Sequence, residues 1–266
     1  MTGMELLGVK LIVTPLLILA CSLASRRWGD AMGGWLVGLP LTSGPVAVFL
    51  ALEQGPNFVE LSSAGSIAGS IAQACFCLAF ASLASCGWPV AVAAGTVVFA
   101  SAGLILQWAR LSSLELFGLS IVALGVTLYA IPKSSTEASE VLHPWWDIPA
   151  RMVIVAILVV GITSLARILG PGLTGVVACF PVFGIVLAVF SQTLRGPSGG
   201  TEVLRGMAMG LFGFAVFFYV LSLSIVDAGI PLAFVAATVS ALCVQTASLK
   251  FIQLSAGRRQ SAAGVR

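Results

Sequence analysis

Ionisable side chains are scarce in this sequence. The 266 residues include 13 Lys and Arg, 10 Asp and Glu and a single His, against 59% apolar residues and a mean hydropathy of +1.08. A water-soluble domain is excluded, because such a surface needs roughly 25% charged residues. Nucleic-acid binding lacks a basic patch beyond the terminal "GRRQSAAGVR", which reads as a topology signal or a contact with anionic lipid. Catalytic signatures are missing too: there is no HExxH, no GxSxG, no Walker-type loop and no pair of carboxylates within an apolar run. A serine nucleophile would find no histidine or membrane-depth lysine to activate it. The expectation is therefore a protein that is not an enzyme, with no cofactor and no metal site. His143, before Pro144, reads as a solvated loop residue. The six cysteines (Cys21, Cys75, Cys77, Cys86, Cys179, Cys243) form no CxxC pair and read as small core residues.

Long apolar runs take the place of charge. Nine stretches are each about 20 residues long, enough to cross a hydrocarbon core of roughly 30 Å as a helix. They are Leu6–Ser25, Ala31–Leu52, Leu61–Ser85, Trp88–Trp108, Leu114–Ile131, Ala150–Ile168, Gly172–Thr193, Leu204–Val226 and Ile230–Leu254. They are continuous and do not alternate with a period of two, which argues against a β-barrel. Ile18-Leu19-Ala20-Cys21 has a faint look of a lipoprotein signal. Its first run also aligns with an internal helix, so a retained span is expected.

That alignment is the main finding of the sequence. Residues 10–88 laid without gaps on 151–229 match at fourteen of 79 positions, and seven of the fourteen are Gly or Pro. The pairs are Gly29/Gly170, Gly34/Gly175, Pro40/Pro181, Gly55/Gly196, Pro56/Pro197, Gly65/Gly206 and Gly69/Gly210. After a one-residue insertion "PVAVAAGTV" from Pro89 faces "PLAFVAATV" from Pro231. Matched leucines would mean little in so apolar a chain, whereas matched backbone-shaping residues indicate duplication.

Each repeat has four spans, and one helix, Leu114–Ile131, separates them; an odd separator inverts the second repeat. Charge supports the inversion, because basic residues gather on the cytoplasmic side. With the N-terminus outside, that side holds Arg26, Arg27, Lys133, Arg151, Arg195, Arg205, Lys250, Arg258, Arg259 and Arg266, and the outer side only Lys10, Arg110 and Arg167. The expected fold is all-α: a polytopic membrane protein of about nine helices, built from two inverted four-helix repeats. Residues 1–111 form repeat one, 112–149 a linker helix and cytoplasmic loop, 150–254 repeat two and 255–266 a cytoplasmic tail. Trp145 and Trp146 are expected at the headgroups.

Pro40 and Pro181 are each the tenth residue of a 22-residue run, near the bilayer midplane at about 1.5 Å rise per residue. Proline removes a donor and should free the carbonyls of Leu36 and Val177. Irregular backbone at that depth must be buried in protein or line a polar cavity. Transporters with inverted repeats build central sites from such interrupted helices, while the plainer reading is a kink that serves packing. The candidate substrate-binding residues are Pro40, Thr42, Ser43, Gly44, Gln73, Pro181, Phe183, Gly184 and Gln245. Gln73 and Gln245 also suit hydrogen bonds to a neighbouring helix. The GxxxG pairs Gly65/Gly69 and Gly206/Gly210 read as helix packing within each repeat, with a homodimer contact as the alternative. No acidic or basic residue falls at a predicted midplane, so coupling through a buried acid is not expected, and a neutral or amphipathic solute fits better.

The phrases "GLPLTSGPVAVFLALEQG" and "CFPVFGIVLAVFSQTLRG", each in a four-helix pattern, resemble the GlpM-type small bacterial inner-membrane proteins. The resemblance covers about residues 10–107 and 151–254, as if two such units were fused, and implies placement in a bacterial inner membrane. The first phrase departs from it by lacking the Phe-Pro-x-Phe form of Phe180–Phe183. The expected function is transport of a small solute across that membrane, with membrane lipid and the solute as partners. The alternative is a non-transporting scaffold in an envelope or polysaccharide assembly system.

Overall fold

In the computed structural model, residues 3–41, 43–131, 146–158 and 179–263 are described, and the regular structure among them is all helical. The helices are α1 (Gly3–Trp28), α2 (Asp30–Val37), α3 (Ser43–Gln54), α4 (Pro56–Leu83), α5 (Trp88–Ala109) and α6 (Ser113–Ala130). They are followed by α7 (residues 147–158), α8 (Val182–Arg195), α9 (Pro197–Ser224) and α10 (Ile230–Ala263). Five stretches are long and apolar enough to cross a membrane: Pro56–Cys86, Trp88–Ala109, Ser113–Ala130, Pro197–Ser224 and Ile230–Ser248. The chain thus has the character of a multi-pass membrane protein. Of the other expected spans, Ala31–Leu52 is divided into α2 and α3, and the described part of Gly172–Thr193 is the 14-residue α8. His143, Trp145, Arg167, Gly170, Gly175 and Val177 lie outside the described residues.

Helix starts repeat with the sequence. Gly55 (φ 88°) and Gly196 (φ 79°) take a left-handed turn that side chains resist, and Pro56 and Pro197 follow at the first helical position, where no N–H is needed. Gly87 (φ 97°) and Gly229 (φ 76°) do the same before α5 and α10. The hydrogen bonds match pair by pair. Gly55 N–H donates to the Ala51 carbonyl as Gly196 N–H does to Gln192, and Ala91 N–H donates to Gly87 as Ala233 N–H does to Gly229. Thus α4 and α9, 28 residues each, begin and end 141 positions apart.

These two helices form the middle of the bundle. Their apolar windows are 67% and 72% buried, against 22% in α5, α6 and α10, whose remaining faces are apolar and exposed. Contacts with α6 fix their directions. Ser70 bonds to Ser120 at 2.7 Å, and the Thr127 hydroxyl donates to the Ala74 carbonyl, so α6 runs alongside α4 in the same sense. Arg205, early in α9, donates to the carbonyls of Leu128 and Ile131 at the end of α6, while Phe117 near the start of α6 stacks on Tyr219 near the end of α9 at 4.2 Å. Hence α6 opposes α9, and α4 opposes α9 as well.

One end of the bundle is basic. Arg26 at the end of α1 bonds Asp147 at the start of α7 (2.7 Å), and Asp30 at the start of α2 meets Arg195 at the end of α8 (3.6 Å). The Gln192 side chain donates to the Ala84 carbonyl just beyond α4, which places that terminus at the same end. Trp28, Trp88, Tyr129 and Trp146 are exposed around this end and Trp108 towards the other, as interfacial aromatics are. Tyr129 is 93% exposed near the end of α6.

Three of the GxxxG glycines, Gly69, Gly206 and Gly210, join the two repeats, which corrects the expectation of packing within each. A Cβ on Gly206 would overlap the Ala31 carbonyl, one on Gly34 the Val203 carbonyl, and Gly210 lies against Gly38, so α2 rests directly on the backbone of α9. On the other side Gly69 admits Cys179, whose Cβ would lie 2.5 Å from an added methyl. The contacts Gly38 with Gly210 and Cys179 with Gly69 exchange under the shift of 141. Gly65 has no described neighbour; the residues matching its counterpart's partner lie outside the described ones.

Substituting Gly206→Ala should lower stability by about 1–3 kcal/mol through overpacking. Gly118→Ala, on the exposed face of α6, should leave stability unchanged or raise it by about 0.5–1 kcal/mol. Thermal unfolding of the purified protein in detergent compares the two.

Candidate functional site

Proline fixes φ near −65° and has no N–H, so a chain can turn about it without stranding a donor. Both interruptions use this in the same way. Across Pro40 the Leu41 N–H donates to the Leu39 carbonyl (2.8 Å), and across Pro181 the Val182 N–H donates to the Phe180 carbonyl (2.8 Å). Pro181, at φ −80° and ψ 56°, is the centre of an inverse γ-turn. Each proline carbonyl then starts the next helix, accepting from Gly44 (2.9 Å) and Ile185 (2.9 Å). All four bonds coincide under the shift of 141.

The carbonyl before the first turn fares differently from the expectation, and that of Val177 lies outside the described residues. Leu36 is not freed, because the Leu39 N–H tightens the last turn of α2 and donates to it at 3.2 Å. At the second interruption the Cys179 carbonyl accepts from the Gln73 side chain, 2.6 Å away on α4. Gln73 is therefore a backbone partner of the broken segment. Phe180 beside it meets Phe76 and Phe99 edge-on, with ring centroids 6.5 and 5.4 Å apart.

Met207 of α9, fully buried, connects the two interruptions. Its carbonyl lies against Gly38 and its Sδ against Gly184, one turn past Pro181. Pro40 and Ser43 are half-buried, Gly44 is buried with Phe217 3.6 Å from where its Cβ would be, and Pro181 is buried. Phe183 packs with a small cluster of Ile18, Val155, Val182 and Val186. Gln245 stands one layer away: it donates to the Gly210 carbonyl (2.5 Å) and accepts from Ser248, which in turn accepts from the Trp35 indole (3.0 Å). Gln245 thus reaches the first interruption indirectly, through Gly210 and through Ser248 and Trp35. Thr42 lies outside the described residues. Half-helices α3 and α8 both start at the interruptions, so the positive ends of two helix dipoles face them.

A second polar assembly lies at the basic end. Asp30, 2% exposed, accepts hydrogen bonds from the hydroxyls of Ser25 and Ser191 and faces Arg195. Asp147, 1% exposed, accepts from Arg26 on one oxygen (2.7 Å) and twice from Arg151 on the other (3.1 Å each). Arg151 also contacts Ser22 and lies 4.9 Å from the Phe190 ring centre. The charges do sit near span ends, as the sequence suggests, yet Asp30, Asp147 and Arg151 are buried and Arg26 and Arg195 half-buried. Arg151, four residues on, is a local partner of Asp147, but the other cations are not visible from the sequence, because Arg26 lies 121 residues from Asp147 and Arg195 165 residues from Asp30. Among the described residues no three His, Cys, Asp or Glu side chains form a metal-binding group.

Gln73→Leu should cost about 1–3 kcal/mol, because it leaves a buried carbonyl unpaired outside any regular helix. Gln245→Leu should cost less, because the Gly210 carbonyl lies inside α9 and keeps its helical partner. Denaturant or thermal unfolding of both variants reads the difference. No family model matches this chain, and neither the curated proteins nor the solved structures include one that does.

Proposed function

We propose that the chain is a transporter of a small neutral or amphipathic solute, built as nine spans in two inverted repeats. The observation that carries this reading is the identical hydrogen bonding about Pro40 and Pro181, in segments that each rest on the third span of the other repeat. The opposed directions of α4 and α9 support inversion, and the contacts at the basic end suit nine alternating passes. The positive-inside rule then assigns the basic end to the cytoplasm, with the N-terminus outside, the C-terminus inside and, with the resemblance noted above, a bacterial inner membrane. Backbone groups, Ser43, Gln73 and half-helix ends would meet the solute near the midplane, and neutral groups of this kind favour an uncharged or amphipathic one. The reading assigns no catalytic step, cofactor or nucleic-acid partner to the chain. Lipid would cover the exposed faces of α5, α6 and α10, and a homodimer would need a surface other than Gly206 and Gly210, which α2 occupies.

The rival reading, a scaffold for an envelope assembly system, predicts no dependence of solute movement on the two turns. Solute content of cells with and without the chain, followed by uptake of the affected solute, separates the two. Pro40→Ala and Pro181→Ala should each lower uptake about tenfold or more at equal protein in the membrane. Full uptake in both variants would remove the site.

A further inference from the structure

Three buried glutamines use their amides unequally. Each donates from Nε2 to a backbone carbonyl of another segment: Gln73 to Cys179 (2.6 Å), Gln192 to Ala84 (2.8 Å) and Gln245 to Gly210 (2.5 Å). A carbonyl can only accept, so each bond fixes which end of the amide is the nitrogen. The Oε1 of Gln245 then accepts from Ser248 (3.2 Å). The Oε1 of Gln192 has no partner and is fully enclosed, with Gly200 of α9 packed beside it. The Oε1 of Gln73 likewise meets no donor among the described residues, yet it is not one of the enclosed atoms, although the residue as a whole is 9% exposed. Gln73 lies near the middle of the Pro56–Cys86 span, where an unpaired acceptor is costly unless something reaches it.

Donors are free on the other side of the same turn. After Pro181 the N–H groups of Val182 and Ile185 are taken by the Phe180 and Pro181 carbonyls, while among the described residues no acceptor meets those of Phe183 and Gly184. These are the unpaired first-turn donors of the 14-residue α8. We propose that the second interruption binds the hydroxyl group of a small apolar alcohol: Gln73 Oε1 accepts the hydroxyl proton, and the Phe183 and Gly184 N–H groups donate to the hydroxyl oxygen. Charge selects this class. The positive end of α8 lies at the turn and opposes a cation, and the bare Oε1 opposes an anion. A neutral O–H is donor and acceptor at once and answers both groups. The apolar body of the alcohol has its complement in the rings of Phe76, Phe99 and Phe180 beside Gln73. Under the shift of 141 the counterpart of Gln73 is Phe214, so this acceptor belongs to one interruption and the solute is held one way round.

This rests on the transporter reading above, but its test reads binding alone. Hexanol and pentyl methyl ether are isomers, as are benzyl alcohol and anisole, and within each pair only the alcohol carries a proton on oxygen. On the purified full chain the alcohol should bind about tenfold or more tightly than its ether in at least one pair, read from the rise of the unfolding temperature with ligand concentration. Gln73→Leu should remove that preference, and Gln192→Leu, which deletes a buried amide away from the turn, should keep it. Should Gln73→Leu not fold, the unaltered chain locates the site: isotope labelling that selects Phe-Gly pairs reads the amide protons of Gly118, Gly184 and Gly213. The alcohol should shift Gly184 where its ether does not, with Gly118 and Gly213 the same for both. No preference in either pair, a preference that survives Gln73→Leu, or alcohol binding that leaves Gly184 unmoved would overturn the assignment. Alcohol binding by a chain whose loss leaves the solute content of cells unchanged would keep the site and remove transport; uptake of a solute without a hydroxyl, unaltered in Gln73→Leu, would do the reverse.

Discussion

A hydrocarbon core offers no water to a backbone N–H or carbonyl, and each unpaired group there costs several kcal/mol. The two interruptions answer that constraint. At each, proline supplies a turn that lacks one donor, its neighbours close a three-residue ring, and its own carbonyl starts the next half-helix. What the turn cannot satisfy is supplied from outside: Gln73 at the second interruption, and at the first a 3₁₀ bond that closes the end of α2.

The rest of the bundle serves that requirement. For α4 and α9 to support the broken segments, the backbones must approach to the limit of contact, and Gly34, Gly38, Gly69, Gly206 and Gly210 make this possible. Met207 lies between Gly38 and Gly184, so a shift of α9 is felt at both turns. The outer helices α5, α6 and α10 carry little of this load and present apolar faces. At the end where α1, α2, α7 and α8 converge, the assembly holds itself by ion pairs in place of close-packed backbone.

Gly and Pro made the repeat and its element ends legible, because those residues specify backbone shape independently of partners. Gly55-Pro56 and Gly196-Pro197 mark the starts of α4 and α9 as directly in the sequence as in the structure. The positions of the two turns were legible for the same reason. Partner choice was not. The sequence could place Gly206 and Gly210 on one helix face but not show that α2 of the other repeat would lie on it, because an apolar chain offers many equivalent small-residue faces. Asp30 and Asp147 likewise read as ordinary span-end charges until Arg195 and Arg26 are brought beside them. Leu36 was expected to lose its partner by counting four residues back from proline, a rule that ignores the alternative three-residue bond.

The central claim is the opposed orientation of two copies of one unit in the membrane. Asn57 and Ser198 hold the same place in the two copies, one residue after Pro56 and Pro197. Each, changed singly to Cys in a chain whose exposed Cys86 and Cys243 are replaced, can be tested with a membrane-impermeant thiol reagent on intact cells and on inverted vesicles. The account predicts that Asn57→Cys reacts only from outside and Ser198→Cys only from the cytoplasmic side. Labelling of both from the same side would contradict it.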